Sequence, residues 1–347
     1  DQTGHNRIQI DNHKGLALTP KDRILNFLPF THIFEKGWSL LGLTEGCTLI
    51  INTDPHEVQQ SMRETHPTCM SAVPRFWEKV YAGVQEKIDK ASSLQKKLFK
   101  DALETGRRHN IEYLACGKRP PITLALKYKL MDKTILALVR KQLGLEKANF
   151  FPTAGARVSS EVEIFVHSIG LNMIVGYGLT ESLATVSCDH LNRAFTVGSV
   201  GRPIAGLEVK IGENDEILLK GPTITPGYYK RDALNAEAFT EDGFFRTGDA
   251  GYIKNDELFL TERIKDLYKT SNGKYIAPQA VEAKMLVDKY IEQIVEGSIV
   301  KSSLWKSDPV DCPAGSPCFL NAVVGGAMPE NLSAMELLDR LQRIEVV

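Results

Sequence analysis

No run of about 18 consecutive apolar residues occurs in this chain, so no stretch of it reads as a membrane-spanning helix. Neither sign of charge is in excess. A net charge of −1 over 347 residues provides no global field that would hold nucleic acid or draw the chain onto an anionic bilayer. Cysteine is sparse: Cys47, Cys69, Cys116, Cys188, Cys312 and Cys318 are scattered and form no disulfide framework. A reducing cytoplasm is the compartment this implies. Cys312 and Cys318 flank a Pro/Gly-rich loop, but no second Cys or His pair completes a zinc site. The first residues, DQTGHNRIQIDNHKG, lack the apolar core of a signal peptide. Internal repeats and low-complexity tracts are missing too. What is present, 43% hydrophobic and 24% charged residues, fits a globular protein and excludes general disorder. The length allows two or more domains.

Strand-like and helix-like segments alternate in the first half. ILNFLPF and CTLIIN are short apolar runs, and Pro74 opens a helix with Phe76, Val80, Val84 and Ile88 four apart on one face. Many Lys and Arg residues follow, up to Arg119, and read as the solvated face of long helices. Their apolar face leaves a peripheral lipid contact open. Residues 124–143 read as a further helix ending near Gly144. Residues 149–154 and 171–176 read as strands around a helix over 159–168. Such alternation predicts an α/β fold with a mostly parallel sheet flanked by helices. After about Cys188 the pattern changes to short β-like runs, GLEVKI, EILLKG, GFFRTGD, AGYIKN and ELFLTE, separated by Gly and Pro. These predict a small antiparallel barrel or meander.

Four segments carry chemistry. Residues 175–182, VGYGLTES, read as a buried strand breaking into a tight glycine turn. Gly176 and Gly178 would let backbone approach a ligand. Tyr177, Thr180 and Glu181 offer an aromatic face, a hydroxyl and a carboxylate able to hold Mg²⁺. An ordinary strand-to-loop turn accounts for the same letters. FFRTGDAG places Asp249 in a Gly-flanked turn, suited either to two ribose hydroxyls or to capping its own backbone. LTERIKD carries Arg263 and Lys265, and its plain alternative is a charged surface segment. TSNGKYIAPQAVE is a glycine turn at Gly273 followed by Pro at a helix start.

In order and spacing these segments resemble those of the adenylate-forming enzymes, which comprise acyl-CoA synthetases, luciferases and peptide-synthetase adenylation domains. Glu181 and Asp249 are 68 apart (249 − 181), and Asp249 and Arg263 are 14 apart (263 − 249). Upstream, LPFTHIFEKGW matches the family's LPxxH segment at His32, and FFPTAGARVS matches another at Gly155, Ala156 and Arg157. The helical insert after VPRFWEKVY, KYKLMDK and SNGKYIAP look most like bacterial long-chain fatty-acid–CoA ligases. The resemblance implies two steps: a long-chain fatty acid attacks ATP to give acyl-adenylate, and coenzyme A then displaces AMP. It implies that Tyr177 stacks on adenine beside 155–157, Thr180 bonds phosphates and Glu181 holds Mg²⁺. Asp249 and Arg263 would hold ribose, His32 would lie near the reacting carboxylate, and Lys265 would be a hinge. Trp38 would gate the acyl tunnel or, more simply, pack in the core.

The resemblance also implies three regions: an α/β adenylation subdomain over 1–188, a β-barrel subdomain over 189–262, and a hinge with the start of a C-terminal lid domain over 263–347. Two expected pieces are absent from the sequence. No Ser/Thr/Gly-rich phosphate loop precedes LPFTH, and the tail after YIEQIVEG offers no lysine in the lid's usual context. The expectation is therefore a chain resembling the middle of a synthetase. It would act with ATP, Mg²⁺, a fatty acid and CoA, without nucleic acid, in the cytoplasm or at the inner membrane face. The rival expectations are another acceptor on the same fold, or a binding module without turnover.

Overall fold

The apolar runs of the first half become strands, and their buried side chains pack into two hydrophobic clusters, Leu25 in one and Ile24 in the other. The computed structural model describes residues 18–189 and 194–264, plus four two-residue strands further on. Strands β1 (Arg23–Asn26) and β2 (Thr48–Ile51) pair in parallel around helix α1 (Ile33–Thr44). Bridges from Cys69 to Ile24 and Phe150, and from Ala72 to Thr153, insert residues 69–72 between β1 and β3 (Phe151–Thr153). β3 pairs in parallel with β4 (Met173–Tyr177), and β4 pairs antiparallel with β5 (Ser187–Cys188), which pairs with β6 (Arg202–Pro203). The result is one mixed sheet ordered β2-β1-(69–72)-β3-β4-β5-β6, parallel as far as β4.

Helices cover it. α2 (Val58–Thr65) follows β2, and α3 (Pro74–Asp89) starts at the expected proline. Trp77 on α3 is fully buried, donates from Nε1 to Thr153 Oγ1 at 2.9 Å, and meets Phe151 edge-on at 5.3 Å. This locks α3 onto β3. α4 (Ser93–Arg107) begins with a capping box between Ser92 and Gln95. A π-helical turn, Arg108–Leu114, prolongs it. α5 (Ile122–Met131) and α6 (Ala137–Leu143) form one helical run interrupted by the π-turn Asp132–Leu136 and ended by Gly144 at φ +78°. The cationic stretch does lie on solvated helices, with pairs such as Arg107–Glu104 and Lys90–Glu86 along their own surfaces. α7 (Ser160–Ser168) is capped by Ser159, the first residue of the helix read from the sequence.

The long insert clasps the end of α7. Asn110 Nδ2 donates to the His167 carbonyl at 2.7 Å, and Arg140 Nη1 to the Ile169 carbonyl at 2.6 Å, satisfying acceptors that a helix end leaves open. Gly106 lets α4 touch α7, because a Cβ there would stand 2.0 Å from the Ser168 carbonyl oxygen.

The second half holds the four-stranded antiparallel meander ordered β10-β9-β8-β7: β7 (Glu208–Ile211), β8 (Glu216–Lys220), β9 (Phe245–Lys254) and β10 (Glu257–Arg263). A short helix, α8 (Asp232–Ala238), precedes β9. Sequence reading divides GFFRTGD from AGYIKN by a turn, whereas both lie in the single strand β9. Gly248, at φ +71°, and a register shift opposite Glu216–Leu218 absorb the irregularity as a bulge, so the chain need not turn back. Backbone bonds from Val200 N to Leu258 O and from Leu258 N to Gly201 O join the meander to the β6 end of the main sheet. The chain divides into two compact units, Asp1–Lys265 and Asp266–Val347. In the second, Tyr268–Lys269 pairs with Tyr275–Ile276, and Gln293–Ile294 with Ala322–Val323. Among the described residues no helix is long and apolar enough to cross a membrane.

Three carboxylates are buried together where the two sheets meet. Glu163 on α7 accepts from Gly198 N at 2.9 Å, Asp189 accepts from Ser199, and Glu257 accepts from Thr196. Burial, and secondarily the charge of Glu257, pushes Glu163 up to about 8. Burial followed by the charges of Glu163 and Glu257 raises Asp189 well above its ordinary range. Arg202 Nη2, 3.9 Å from Glu257, is the nearby cation among the described residues.

Two outcomes follow from this packing. Gly106→Ala should destabilise the fold by about 1–3 kcal/mol through overpacking. Gly83→Ala on α3, where a Cβ meets nothing within 4 Å, should stabilise it by about 0.5–1 kcal/mol. Urea denaturation of both variants decides, and equal effects would refute the packing assignment. For Glu163 the folded state binds the proton more tightly than the unfolded chain, whose glutamate titrates near about 4.3. Its contribution is therefore complete below that value and lost as pH rises through about 8. Glu163→Gln should flatten the fall in unfolding free energy between about pH 5 and 8. An unchanged slope would assign that fall to other groups.

Candidate functional site

The parallel strands set the site's location. β1, residues 69–72, β3 and β4 run in one direction, so the loops that leave their carboxyl ends lie along one sheet edge, where ligands of open α/β sheets bind. His32, Val73, 155–157 and 178–184 all stand on these loops.

His32 is exposed and caps α1, its Nδ1 accepting from Phe34 N at 3.2 Å. That bond requires the unprotonated Nδ1, so the cap leaves Nε2 as the ring nitrogen available to carry a proton. Behind it, Glu35 is fully buried, bonded by Asn26 Nδ2 at 2.8 Å and by Ser71 Oγ, and burial raises its pKa despite these bonds. This polar clasp ties the first turn of α1 to β1 and to residues 69–72. Trp38 is 7% exposed and stands edge-on to Phe150 at 5.6 Å, which is core packing. Gly155, Ala156 and Arg157 form an exposed loop, with Gly155 at φ +96°.

The glycine turn after β4 is tight. A Cβ on Gly178 would fall 1.5 Å from the Ala184 carbonyl oxygen, so no other residue fits without moving backbone. Leu183 and Ala184 both adopt positive φ, +53° and +87°, a strained choice for non-glycine residues. α1 lies alongside, since a Cβ at Gly37 would meet Ala184 Cβ at 3.9 Å. Thr180 is exposed at the start of the short 3-10 turn Thr180–Ser182.

Asp249 reaches this turn from the meander. Tyr177 Oη donates to Asp249 Oδ2 at 2.7 Å, and Arg263 Nε lies 3.4 Å from Asp249 Oδ1. Asp249 and Arg263 are register partners across β9 and β10. Burial first, and the Asp249 charge second, hold the Tyr177 hydroxyl far above its usual range, so it remains a donor at any physiological pH. Tyr177 as a whole is only 7% exposed. Tyr177, Asp249 and Arg263, 86 positions apart (263 − 177), are thus brought into one chain of contacts.

Glu181 is held from a direction the sequence did not suggest. Tyr228 Oη donates to Glu181 Oε1 at 2.8 Å, and Thr225 N donates to the Glu181 backbone oxygen at 2.7 Å. Burial and the Glu181 carboxylate together push Tyr228 up to about 12. The run PGYYK was visible as a turn, but no motif spacing marked its tyrosine. Among the described residues no three His, Cys, Asp or Glu side chains are arranged to hold a metal. Lys265 and Gly273 lie outside the described residues.

The sequence model of one family, described as AMP-binding enzyme, matches residues 4–229. The long-chain-fatty-acid–CoA ligase FadD15 of Mycobacterium tuberculosis is 28% identical over 277 residues, covering 79% of this chain and 45% of its own length. Long-chain-fatty-acid–CoA ligase 1 of Saccharomyces cerevisiae is 29% identical over 348 residues, covering 94% of this chain and 47% of its own. The chain therefore spans about half the length of the curated relatives it matches. Among solved structures, the adenylation domain of a carboxylate reductase from Mycobacterium chelonae superposes with a TM-score of 0.59 at 23% identity, over 78% of this chain and 39% of that one. The O-succinylbenzoate coenzyme A synthetase of Bacillus subtilis, solved with ATP and a magnesium ion, gives 0.53 at 21% identity, over 83% and 51%. At these identities the likeness concerns the fold.

Proposed function

This chain belongs to the AMP-binding enzyme family, and from that premise we propose that it supplies the nucleotide site of an AMP-forming long-chain fatty-acid–CoA ligase. The observation that carries the reading is the contact chain Tyr177–Asp249–Arg263 at the carboxyl edge of the parallel sheet. It gathers residues of three separate motifs beside the glycine turn.

A carboxylic acid is a poor electrophile, and the first half-reaction makes one of its oxygens part of a phosphate leaving group. The fatty carboxylate oxygen attacks the α-phosphorus of ATP, and the bond to the bridging oxygen of pyrophosphate breaks. The thiol of coenzyme A then attacks the acyl carbon, and AMP leaves with that carbon's phosphate-linked oxygen. The protein supplies position and charge stabilisation. In this reading Asp249, steadied by Tyr177 and Arg263, accepts from the ribose hydroxyls. Tyr177 offers adenine the small exposed part of its ring, beside 155–157. The exposed Thr180 hydroxyl donates to phosphate oxygens. His32, with Nδ1 committed to its cap, presents Nε2 toward the reacting carboxylate.

The residues fit a magnesium ion of the kind that binds mostly through phosphates and water. Glu181 is the one carboxylate of the glycine turn, and Tyr228 occupies Oε1 while leaving Oε2 for the metal. When bound, the ion would neutralise charge on the departing pyrophosphate. Tyr228 then acts as a positioning residue, fixing the carboxylate by a donor that does not titrate near neutrality. Residues 1–188 and 189–262 would be the two parts of this site, joined there by Arg263, and the rest of 263–347 would form the hinge at Lys265 with the lid. We place the protein in the cytoplasm, a reading supported by the thiols of Cys47, Cys69 and Cys116, which form no disulfide.

In a protein that joins this chain to a phosphate loop and a lid, isotope exchange between pyrophosphate and ATP, stimulated by hexadecanoate and followed by CoA-dependent thioester formation, tests the reading. Exchange without CoA dependence points to another acceptor, and no stimulated exchange overturns it. Glu181→Ala should lower exchange by about 10²–10³ while sparing thioester formation from supplied acyl-adenylate, which has no pyrophosphate to neutralise. Tyr228→Phe should weaken the apparent magnesium affinity about 10- to 100-fold at unchanged ATP-site occupancy. Equal loss in both half-reactions would count against these roles. Lys265→Pro should do the opposite, slowing transfer to CoA while adenylate still forms. Unchanged turnover would place the hinge elsewhere.

A further inference from the structure

A cavity of about 430 Å³ opens among α2, α3, α4, α6 and the π-turn between α5 and α6. Its size lies within the range of about 300–1,000 Å³ that ligand sites occupy. Met62, Val80 and Val84 form a buried floor, and Phe99, Ile135 and Leu138 stand among the walls. The lining includes three cations, Arg63, Lys79 and Lys87, and no carboxylate. Arg63 is pinned by donating from Nε to the Gln142 carbonyl at 3.2 Å. Lys79 and Lys87 are exposed, and both lie on α3 four positions either side of Gly83.

Gly83 is the telling residue. Glycine inside a helix costs about 1 kcal/mol relative to alanine, and Gly106 on α4 has an evident reason for that cost in its contact with α7. At Gly83 a Cβ would meet nothing within 4 Å. The missing side chain leaves the groove open at the midpoint between two lysines. None of the lining residues belongs to the nucleotide motifs. Gly83 stands nine positions along α3 from Pro74, roughly 14 Å from the sheet edge at about 1.5 Å per residue.

We propose that this groove binds one unbranched acyl chain ending in a carboxylate, as a site separate from the nucleotide site. The apolar floor suits a hydrocarbon chain; the uncharged polar groups of the lining are the amides of Gln59, Gln95 and Gln142, of which Gln95 is engaged in the capping box with Ser92. Cations without a neighbouring acid in the lining suit an anionic head and oppose a cationic one. The lysine heads stay in water while their stems extend the apolar wall, so the head group would remain at the rim. The inference does not rest on the proposed ligase activity.

The test uses the whole chain without nucleotide. A fluorescent fatty-acid probe is titrated in, then displaced by hexadecanoate, by hexadecanol, or by phosphatidylglycerol vesicles. Hexadecanoate should displace the probe, and hexadecanol should do so at least about tenfold less well. Gly83→Leu, which fills the groove with a good helix former, should weaken hexadecanoate binding at least about tenfold while circular dichroism and thermal stability hold or improve. The double variant Lys79→Glu/Lys87→Glu, on exposed positions, should weaken it comparably and remove its salt dependence. Binding untouched by both variants would place the acyl chain elsewhere and overturn the proposal. So would absence of displacement, or loss confined to the vesicle arm, which would make the groove a membrane-facing surface instead.

Discussion

A buried carboxylate must be supplied with donors, and at Asp249 that requirement joins the two halves of the described structure. The acid comes from β9 of the meander, the donor from the last residue of β4, and the bond between them is 2.7 Å long. Without the Tyr177 hydroxyl, Asp249 would lose a partner in a place only marginally open to water, a loss of about 1–3 kcal/mol for a buried polar group. The backbone bonds of Leu258 to Val200 and Gly201 hold the same two sheets together further along. One tie is therefore general and one specific. The specific tie ends on a side chain at the sheet's carboxyl edge, as does the bond from Tyr228 Oη to Glu181.

The second constraint is steric. Between Tyr177 and Val186 the chain leaves β4 and returns, closed by the bond from Val186 N to the Tyr177 carbonyl at 2.8 Å. Gly178 makes the approach to Ala184 feasible, and the positive φ of Leu183 and Ala184 completes the return. Thr180 and Glu181 are presented by backbone geometry rather than by packing of their own side chains. A carboxylate presented in this way still rotates, and the hydrogen bond from Tyr228 restrains it. Strain in the turn, a glycine without alternative and a donor from a distant loop act on the same two residues. Such concentration is what a preorganised polar site requires.

Much of this was legible beforehand because local and tertiary demands agree. The four-residue spacing of Phe76, Val80 and Val84 marked α3 together with the face it buries, and Pro74 and Ser159 marked helix starts that the structure keeps. The turn expected at FFRTGDAG failed for a definite reason. The letters suggest a Gly-flanked turn around Asp249, but a glycine in the left-handed region serves a bulge within a strand equally well, and the partner strand β8 decides between them. The π-turns have no sequence mark of their own. Tyr228 could not be found from motif spacing, since its partner Glu181 is 47 positions away and the bond depends on the route of the intervening β-strands. The stripe Lys79–Gly83–Lys87, by contrast, was open to inspection once residues 74–89 were accepted as a helix.

Helix α3 connects these observations. It begins at the sheet edge beside the candidate nucleotide site, where Val73 lies 3.7 Å from the Cβ position of Gly155. Trp77 then fastens it to β3 through Thr153 and Phe151. Beyond that anchor its outer face gives up a side chain at Gly83 and carries the two lysines. An anchor so early in the helix has a mechanical consequence. Occupancy of the groove cannot displace residues 73–77 without breaking an indole hydrogen bond inside a fully buried aromatic contact. Coupling between sites needs an element with two alternative arrangements. Trp77 fixes the start of α3 against β3, so the groove and the candidate nucleotide site lie on either side of one anchor on the same helix.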